Sequence, residues 1–532
     1  MEHIIGIDLG TTFSCIAFME GDTPKVIPNL EGFATTPSVV SFTSSGKMII
    51  GNTALRQAVT NPQNTLYAIK RIMGMKFNAK EIEQFKKRVP YGLTEAENGD
   101  VMIEVQSRTI SPQELSSIIL KYLKKCAESF LGEDISKAVI TVPAHFNEHQ
   151  RQATKDAAKI AGLDIIRVIN EPTAACLAHG LNSRKNTKAA VYDMGGGTFD
   201  ISIVEIEDGV FNVLATSGNT FLGGEDFDNR IADWIKDDFQ KETDIDLSSD
   251  GLALQRIKEA AENAKRELSF SVESEINLPF ILSHKTGSKH IKKILSRKKL
   301  EDMTKDLIQE TFPFMDKALA DCGLESKDIE EVILVGGQTR MPLLKKMITD
   351  YFQKQPIEDI NPEEIVARGA AIQSEILQKN LSDLVLLLDV TPFSLGIETE
   401  NRKYTKVIEK NTTIPTKKTM SFTTVEDNQR RVKIHVLQGE NENAEENVSL
   451  AVFNLVGIGL APAGVPEIDV TFEINADGLV QVSAKDMETG REQKIEVQPS
   501  SGLSAEELNK IIKRSIEEQK KSDAEGIDHG KT

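Results

Sequence analysis

One loop motif occurs twice in the sequence, and this repeat constrains the fold more than any other feature. The first copy, IGIDLGTTF, spans residues 5–13, and the second copy, VYDMGGGTFDISI, spans residues 191–203. In both copies an apolar run reaches an aspartate, passes through glycine and threonine, and enters an alternating strand pattern. A repeat of this kind predicts two similar lobes that face each other across one ligand.

The occurrence of two such loops favours phosphate binding over a pair of ordinary hairpin turns. Glycine lets backbone N–H groups approach a phosphate closely, and threonine adds hydroxyl groups. An aspartate would repel a phosphate unless a hydrated Mg²⁺ lay between them, and Mg²⁺ keeps its waters and takes one or two carboxylates. We therefore predict that Asp8 and Asp193 hold Mg²⁺ through water. The predicted phosphate-binding residues are Gly10, Thr11, Thr12, Gly195, Gly196, Gly197 and Thr198.

The order of patterns along the chain predicts several domains. Over residues 1–380, short strand-like runs alternate with helical patterns, which is typical of an α/β fold. Alternating runs such as EIDVTFEI then predict an antiparallel β domain over residues 393–502. Ser504 and Glu507 form a capping box that begins a last helix, which fades into a polar tail within residues 503–532.

Residues 381–392 join the α/β part to the β part. They contain the apolar run LVLLL between Asp383 and Asp389. A core strand is one interpretation of this run. Because the run lies where the composition changes, we favour an interdomain linker that is docked in one state and exposed in another.

Composition limits the class of protein. A chain of 532 residues is too long for one core, which agrees with several domains. The net charge of −18 argues against general nucleic-acid binding, because phosphate contacts need a basic surface. The four cysteines follow no metal-ligand pattern, and neither a signal peptide nor a membrane-spanning run is evident. We therefore expect a cytoplasmic protein.

Several motifs together resemble a known family. IGIDLGTTFSC, VINEPTAA, VYDMGGGTFDISI, FLGGEDFD, VGGQTRMP and DVTPFSLGIET occur in this order in the chain. They are similar to motifs of the DnaK-type heat-shock chaperones of seventy kilodaltons. The resemblance implies a multidomain α/β plus β protein, with an actin-like two-lobed ATPase domain, a hydrophobic linker and an antiparallel β-sandwich that binds peptides.

The resemblance also assigns roles to individual residues. The catalytic residues that it implies are Lys70, Glu171, Asp193, Thr198, Asp8 and Asp200. Besides the phosphate loops, nucleotide binding falls to Glu262, Lys265, Arg266, Ser269, Gly336, Gly337 and Arg340. Coupling between the domains falls to Pro143, Arg151, Leu386, Leu387 and Asp389. The peptide cleft falls to Ile397, Glu400, Phe422, Val425, Val432, Ile434 and Val436.

The cofactors and partners that the resemblance implies follow from these roles. ATP or ADP with Mg²⁺ would be bound, and K⁺ is allowed as a further cation. The expected partners are extended hydrophobic segments of unfolded proteins, a J-domain co-chaperone and a nucleotide exchange factor. Neither nucleic acid nor a membrane is expected as a partner.

The sequence departs from the family pattern at two places. Glu400, Asn401 and Arg402 stand where the family has an apolar arch residue followed by two glycines. The sequence also ends after one helix, so we expect a truncated or missing helical lid.

Two other classes of function stay open. One is a different actin-like ATPase, such as a sugar kinase or a filament former, against which the β domain argues. The other is a holdase or regulatory relative that binds peptide without cycling, which the intact ATPase motifs disfavour.

Overall fold

The structure is a computed structural model that describes residues 3–180, 186–248, 250–285, 287–357, 361–379, 385–496 and 503–524. Residues 381–384 of the predicted linker, residues 497–502 of the predicted β domain and residues 525–532 of the predicted tail lie outside the described residues. The described chain forms two α/β lobes, a linker strand, a β domain of two sheets and a C-terminal helix.

The first lobe is built on a mixed sheet that carries the first loop of the repeat. Its strands are β1 (Ile5–Asp8), β2 (Phe13–Glu20), β3 (Thr23–Ile27), β4 (Thr35–Pro37), β5 (Val40–Phe42), β6 (Met48–Ile50), β7 (Thr65–Leu66), β8 (Leu93–Glu95), β9 (Val101–Val105), β10 (Arg108–Ile110), β11 (Lys137–Val142) and β12 (Asp164–Asn170). Its helices are α1 (Asn52–Gln57), α2 (Lys80–Lys86), α3 (Pro112–Leu131) and α4 (Glu148–Ile160). The main sheet has the order β12-β11-β1-β2-β3, and the loop joins the antiparallel pair β1 and β2.

The second lobe repeats this arrangement around the second loop. Its strands are β13 (Thr187–Met194), β14 (Phe199–Glu207), β15 (Val210–Asn219), β16 (Glu273–His284), β17 (Gly287–Ser296) and β18 (Glu331–Val335). Helices of this lobe and of the region between the lobes are α5 (Glu171–Gly180), α6 (Gly224–Thr243), α7 (Gly251–Glu267), α8 (Arg297–Gln309), α9 (Phe312–Asp321), α10 (Pro342–Phe352) and α11 (Ile365–Gln378). The sheet runs β18-β13-β14-β15, and the loop joins the antiparallel pair β13 and β14.

The linker forms a strand on the edge of the second lobe. β19 (Leu386–Val390) lies parallel to β15, with Leu387 opposite Phe211. β22 (Thr413–Ile414) pairs with the other side of β19 and brings the β domain onto the same sheet. Leu387 packs against the buried cluster that contains Phe211, whereas Leu386 is 43% exposed. Residues Leu386–Val390 thus form a docked interdomain strand in this structure.

The β domain consists of antiparallel strands, as the alternating patterns predict. They are β20 (Leu395–Thr399), β21 (Lys403–Ile408), β23 (Thr416–Phe422), β24 (Arg431–Gln438), β25 (Val448–Val456), β26 (Ile468–Ile474), β27 (Val480–Asp486) and β28 (Glu492–Glu496). One sheet has the order β21-β20-β24-β25 and the other β23-β26-β27-β28. Their inward-facing residues, such as Val470 and Phe472, form one core between the sheets.

The last helix, α12 (Ala505–Ala524), begins at the predicted capping box and lies against the first lobe. Ser504 Oγ accepts a hydrogen bond from Glu507 N at 3.2 Å, and Glu507 Oε2 accepts one from Ser504 N at 2.8 Å. This reciprocal pair confirms the predicted helix start. Within the described ranges, no helix combines the length and apolar character needed to cross a bilayer.

Candidate active site

Both loops of the repeat open into one cavity of about 440 Å³ between the lobes. All residues predicted for catalysis and nucleotide binding line this cavity, except Gly197 and Asp200. Gly197 lies in the second loop between two lining residues. Asp200 is buried two residues beyond that loop, where its Oδ1 accepts a hydrogen bond from His145 N at 2.9 Å.

The two loops approach each other so closely that side chains at their glycines would collide. A Cβ on Gly196 would overlap the Thr12 hydroxyl, and a Cβ on Gly197 would overlap Thr11. Thr12 Oγ1 is itself buried, with no hydrogen-bond partner within the described residues. Because an unpaired buried hydroxyl costs free energy, this atom points to a ligand, and a phosphate oxygen would supply the missing partner.

Lys70 and Glu171 form a buried ion pair beside the loops. Lys70 Nζ donates to Glu171 Oε1 at 2.5 Å, and the two side chains are only 8% and 9% exposed. Lys70 lies on a short 3₁₀ turn, Ile69–Ile72, that follows Ala68 in the left-handed region with φ 58°. Burial opposes the positive charge, but Glu171 and the nearby aspartates outweigh it and raise the pKa of Lys70.

Three aspartates at strand ends add negative charge to the same place. Burial, followed by the charge of Glu171, raises the pKa of Asp8 and of Asp200 to about 7. The same causes raise the pKa of Asp193 well above its ordinary value. Together with Glu171, these carboxyl groups outnumber Lys70, and a bound divalent cation would favour the ionised forms that burial and mutual repulsion disfavour.

The donor set fits Mg²⁺ that is held mainly through water. Among the described residues there is no group of three or more acidic, histidine or cysteine side chains able to ligate a metal directly. Mg²⁺ does not need such a group, because it retains several waters and binds phosphate oxygens together with one or two carboxylates. Asp8 and Asp193, at the ends of β1 and β13, are the carboxylates that would contact its waters.

The far end of the cavity is lined by α7 and by the turn after β18. On α7, Lys265 Nζ contacts Asp228 Oδ1 at 2.9 Å. In the turn, Arg340 Nη2 contacts Glu363 Oε2 at 3.0 Å. Gly336 has φ 84°, and a Cβ there would overlap the backbone of the second loop. This glycine therefore allows the turn to pack directly against that loop.

Two of the predicted coupling residues, Arg151 and Asp389, lie close enough to interact electrostatically. Arg151 Nη2 donates to Asn170 Oδ1 at 2.7 Å, and Asn170 immediately precedes Glu171 in the chain. Asp389 Oδ2 accepts from Thr173 Oγ1 at 3.0 Å. Pro143 begins the turn that precedes α4, and its carbonyl accepts from Phe146 N at 3.2 Å. The hydrogen bonds of Arg151 and Asp389 thus involve residues on both sides of Glu171.

Further contacts dock the β domain onto both lobes. Lys155 Nζ contacts Asp477 Oδ2 at 3.2 Å, and Glu148 N donates to Gln438 Oε1 at 3.2 Å. On the second lobe, Lys410 Nζ contacts Asp321 Oδ2 at 2.6 Å. The β-domain partners lie in turns or at a strand end, and no sequence pattern assigned them a role in docking.

The residues predicted for the peptide cleft differ in how much of each side chain is exposed. Three of them, Ile397, Ile434 and Val436, are buried in the β-domain core. Phe422 and Val432 pack half-buried against that core. Val425 is 60% exposed, and Glu400 is also exposed. The structure therefore does not bring this set onto one open surface.

Some residues in the cavity and beside it received no role from the sequence. Asp228 ends the FLGGEDFD motif, so a signal for it was present. Arg71 ties the first lobe to the second loop, because its Nε donates to Gly197 O at 3.1 Å. Its position next to Lys70 was the available signal. Phe270 lines the cavity beyond α7, and a lone aromatic residue after a helix carries no motif.

Comparison with known protein families settles the family. The family model described as Hsp70 protein matches residues 4–530. The chain belongs to the Hsp70 family. Hsp70 proteins are chaperones and ATPases, and they bind unfolded polypeptides under the control of ATP. The family match confirms the resemblance at this level and weighs against a sugar kinase or a filament former.

Proposed function

We propose that this Hsp70 is a DnaK-type chaperone, in which ATP binding and hydrolysis in the cleft control capture and release of extended hydrophobic peptides. The observation that carries the proposal is β19, which is paired with β15 of the second lobe and leads directly into the β domain. Any movement of the lobes that changes the edge of β15 changes the docking of the β domain. This gives nucleotide a mechanical route to the peptide-binding part.

The proposed hydrolysis depends on positioning and on neutralisation of charge. Bound Mg²⁺ would supply positive charge next to the phosphates. Lys70 holds a γ-phosphate oxygen and the attacking water, and Glu171 orients both Lys70 and that water. Thr198 and the N–H groups of the second loop donate to the oxygens of the transferred phosphoryl group. Asp193 would contact the waters that surround the bound cation.

The remaining parts of the proposal rest on the family resemblance. A J-domain co-chaperone stimulates hydrolysis, and a nucleotide exchange factor opens the cleft in a cytoplasmic setting. The resemblance allows K⁺ as a further cation of the site. The functional units are an ATPase domain over residues 1–380, a linker over 381–392, a peptide-binding domain over 393–502 and a helical segment over 503–532.

Single-turnover hydrolysis of ATP tests the proposal. The rate is measured for the chain alone, with an unfolded apolar peptide, and with the peptide together with a J-domain protein. A coupled chaperone accelerates hydrolysis when the peptide is added, and further with the J-domain protein. A holdase that does not cycle shows peptide binding but the same rate in all three mixtures, and that result would refute the proposed coupling.

A further inference from the structure

Phe270 has the most exposed large apolar side chain of the described chain, at 77%, although it lines the nucleotide cavity. Its backbone is held in the turn after α7, where Phe270 N donates to Glu267 O at 3.0 Å. The next residue, Ser271, also donates its N–H to Glu267 O, at 2.8 Å. The ring is thus presented from a fixed backbone without being covered by protein.

Exposure alone would not distinguish this residue, because single apolar side chains are common on protein surfaces. Its position in the cavity does. Lys265, Arg266 and Ser269 on the same wall are polar, and Phe270 extends this wall with a flat apolar face. Arg266 is not free to cover that face in this structure, because its guanidinium lies over the Phe13 ring at 5.3 Å.

Of the parts of a bound nucleotide, the base is the one that suits contact with the Phe270 ring. The phosphates are accounted for by the glycine and threonine loops and by Lys70 at the strand ends. A phenyl ring offers no hydrogen-bond donor to a phosphate, whereas it stacks well on the face of a base. The base is also the part of the nucleotide with an extended apolar face.

We propose that Phe270 covers the base of the bound nucleotide and thereby sets the affinity of the cleft for nucleosides over bare polyphosphate. This inference rests on the proposed function of the cavity as a nucleotide site. Stacking would remove both the ring and one face of the base from water. The residue acts on binding and takes no part in the transfer of the phosphoryl group.

Calorimetric titration of Phe270→Ser tests the proposal with two ligands, Mg-ADP and Mg-tripolyphosphate. The expected result is a Kd for ADP that is at least about fivefold weaker, with the Kd for tripolyphosphate unchanged. Phe270→Trp should restore ADP binding, because it keeps an aromatic face. Val272→Ala is the matched control, since Val272 is 70% exposed in the same segment but does not line the cavity.

Fluorescence supplies a second readout that a merely structural role would not move. The chain has one tryptophan, Trp234, so Phe270→Trp combined with Trp234→Phe places a single reporter at the cavity. Adding ADP should change its emission, and adding tripolyphosphate should not.

Two results would overturn the proposed role of Phe270 and leave the proposed function of the cavity intact. One is an unchanged Kd for ADP in Phe270→Ser, and the other is equal weakening of ADP and tripolyphosphate. Failure of the unmodified chain to bind either ADP or ATP would instead overturn the proposed function, and this inference with it.

Discussion

The nucleotide cleft and the β domain were both interpreted from sequence, yet their predicted site residues occupy different environments. In the cleft, polar and charged residues from separate elements line one cavity, and several are buried at a cost in free energy. In the β domain, residues such as Ile434 and Val436 are apolar and lie in the core. Burying charge costs free energy, so a cluster of buried charge that lines a cleft points to a functional site, whereas buried apolar residues are explained by the fold.

The largest effect is expected at the buried ion pair of Lys70 and Glu171. Lys70→Ala should slow single-turnover hydrolysis at least about a hundredfold, because it removes a contact to the transferred phosphoryl group. It should also lower the free energy of unfolding by about 3–5 kcal/mol, since Glu171 is left buried without its partner. Lys346→Ala removes an exposed lysine–carboxylate pair on α10 and should change neither quantity. If Lys70→Ala hydrolysed ATP at the rate of the unmodified chain, the buried pair would matter no more for hydrolysis than the exposed pair of Lys346.

The linker offers the next test, because two adjacent leucines differ in packing. Leu387→Asp should abolish release of peptide by ATP, since a carboxylate would have to enter the cluster around Phe211, at a cost of at least about 2 kcal/mol. Leu386→Asp should have a much smaller effect, because Leu386 is 43% exposed in the docked strand. Release is followed by the anisotropy of a labelled peptide. Equal effects of the two substitutions would mean that β19 does not dock as described.

Local sequence patterns predicted individual elements of the structure, whereas contacts between distant segments could not be predicted from them. The two loops, the capping box at Ser504 and the alternating strands are local patterns, and each determines its own element. The contact of Asp477 with Lys155 joins segments that are distant in sequence, so it depends on how the domains dock. Alternation likewise predicts that Ile434 faces inward, but it cannot tell a closed core from an open cleft.

Docking of the β domain should depend on pH through His145. Its ring lies 4.4 Å from the ring of Phe393, and burial, reinforced by Lys317, Lys410 and Arg151, lowers its pKa to about 4 against the opposing charge of Glu440. Undocking would return the pKa toward about 6.5. The contribution of His145 to docking is therefore fully present well above pH 6.5 and is lost as the pH falls toward 4.

Between about pH 7 and pH 6 the docking constant should fall roughly three- to fourfold. His145→Phe should remove this part of the dependence, while groups such as Asp389, whose pKa is raised by burial, titrate in both proteins. Energy transfer between dyes on the first lobe and the β domain measures the docked fraction. Identical pH profiles for the two proteins would exclude His145 as the cause.

The smallest effect concerns Glu400, in the part of the molecule where sequence was least informative. Its carboxylate is exposed, and the nearby Arg402 is engaged by Glu445 at 2.5 Å. We expect Lys-flanked apolar peptides to bind about 0.2–1 kcal/mol more tightly than Glu-flanked ones, and less so at high salt. Glu400→Met should remove the preference. Anisotropy on the matched peptides measures it, and equal affinities at low salt would rule out this role.

The central claim is that nucleotide in the buried cleft controls the β domain through the docked linker. It is tested most directly by adding ATP or ADP to the unmodified chain loaded with a labelled apolar peptide, and following peptide anisotropy with time. The account predicts rapid loss of bound peptide with ATP and retention with ADP. Peptide that dissociates at the same rate with ATP, with ADP and without nucleotide would contradict it.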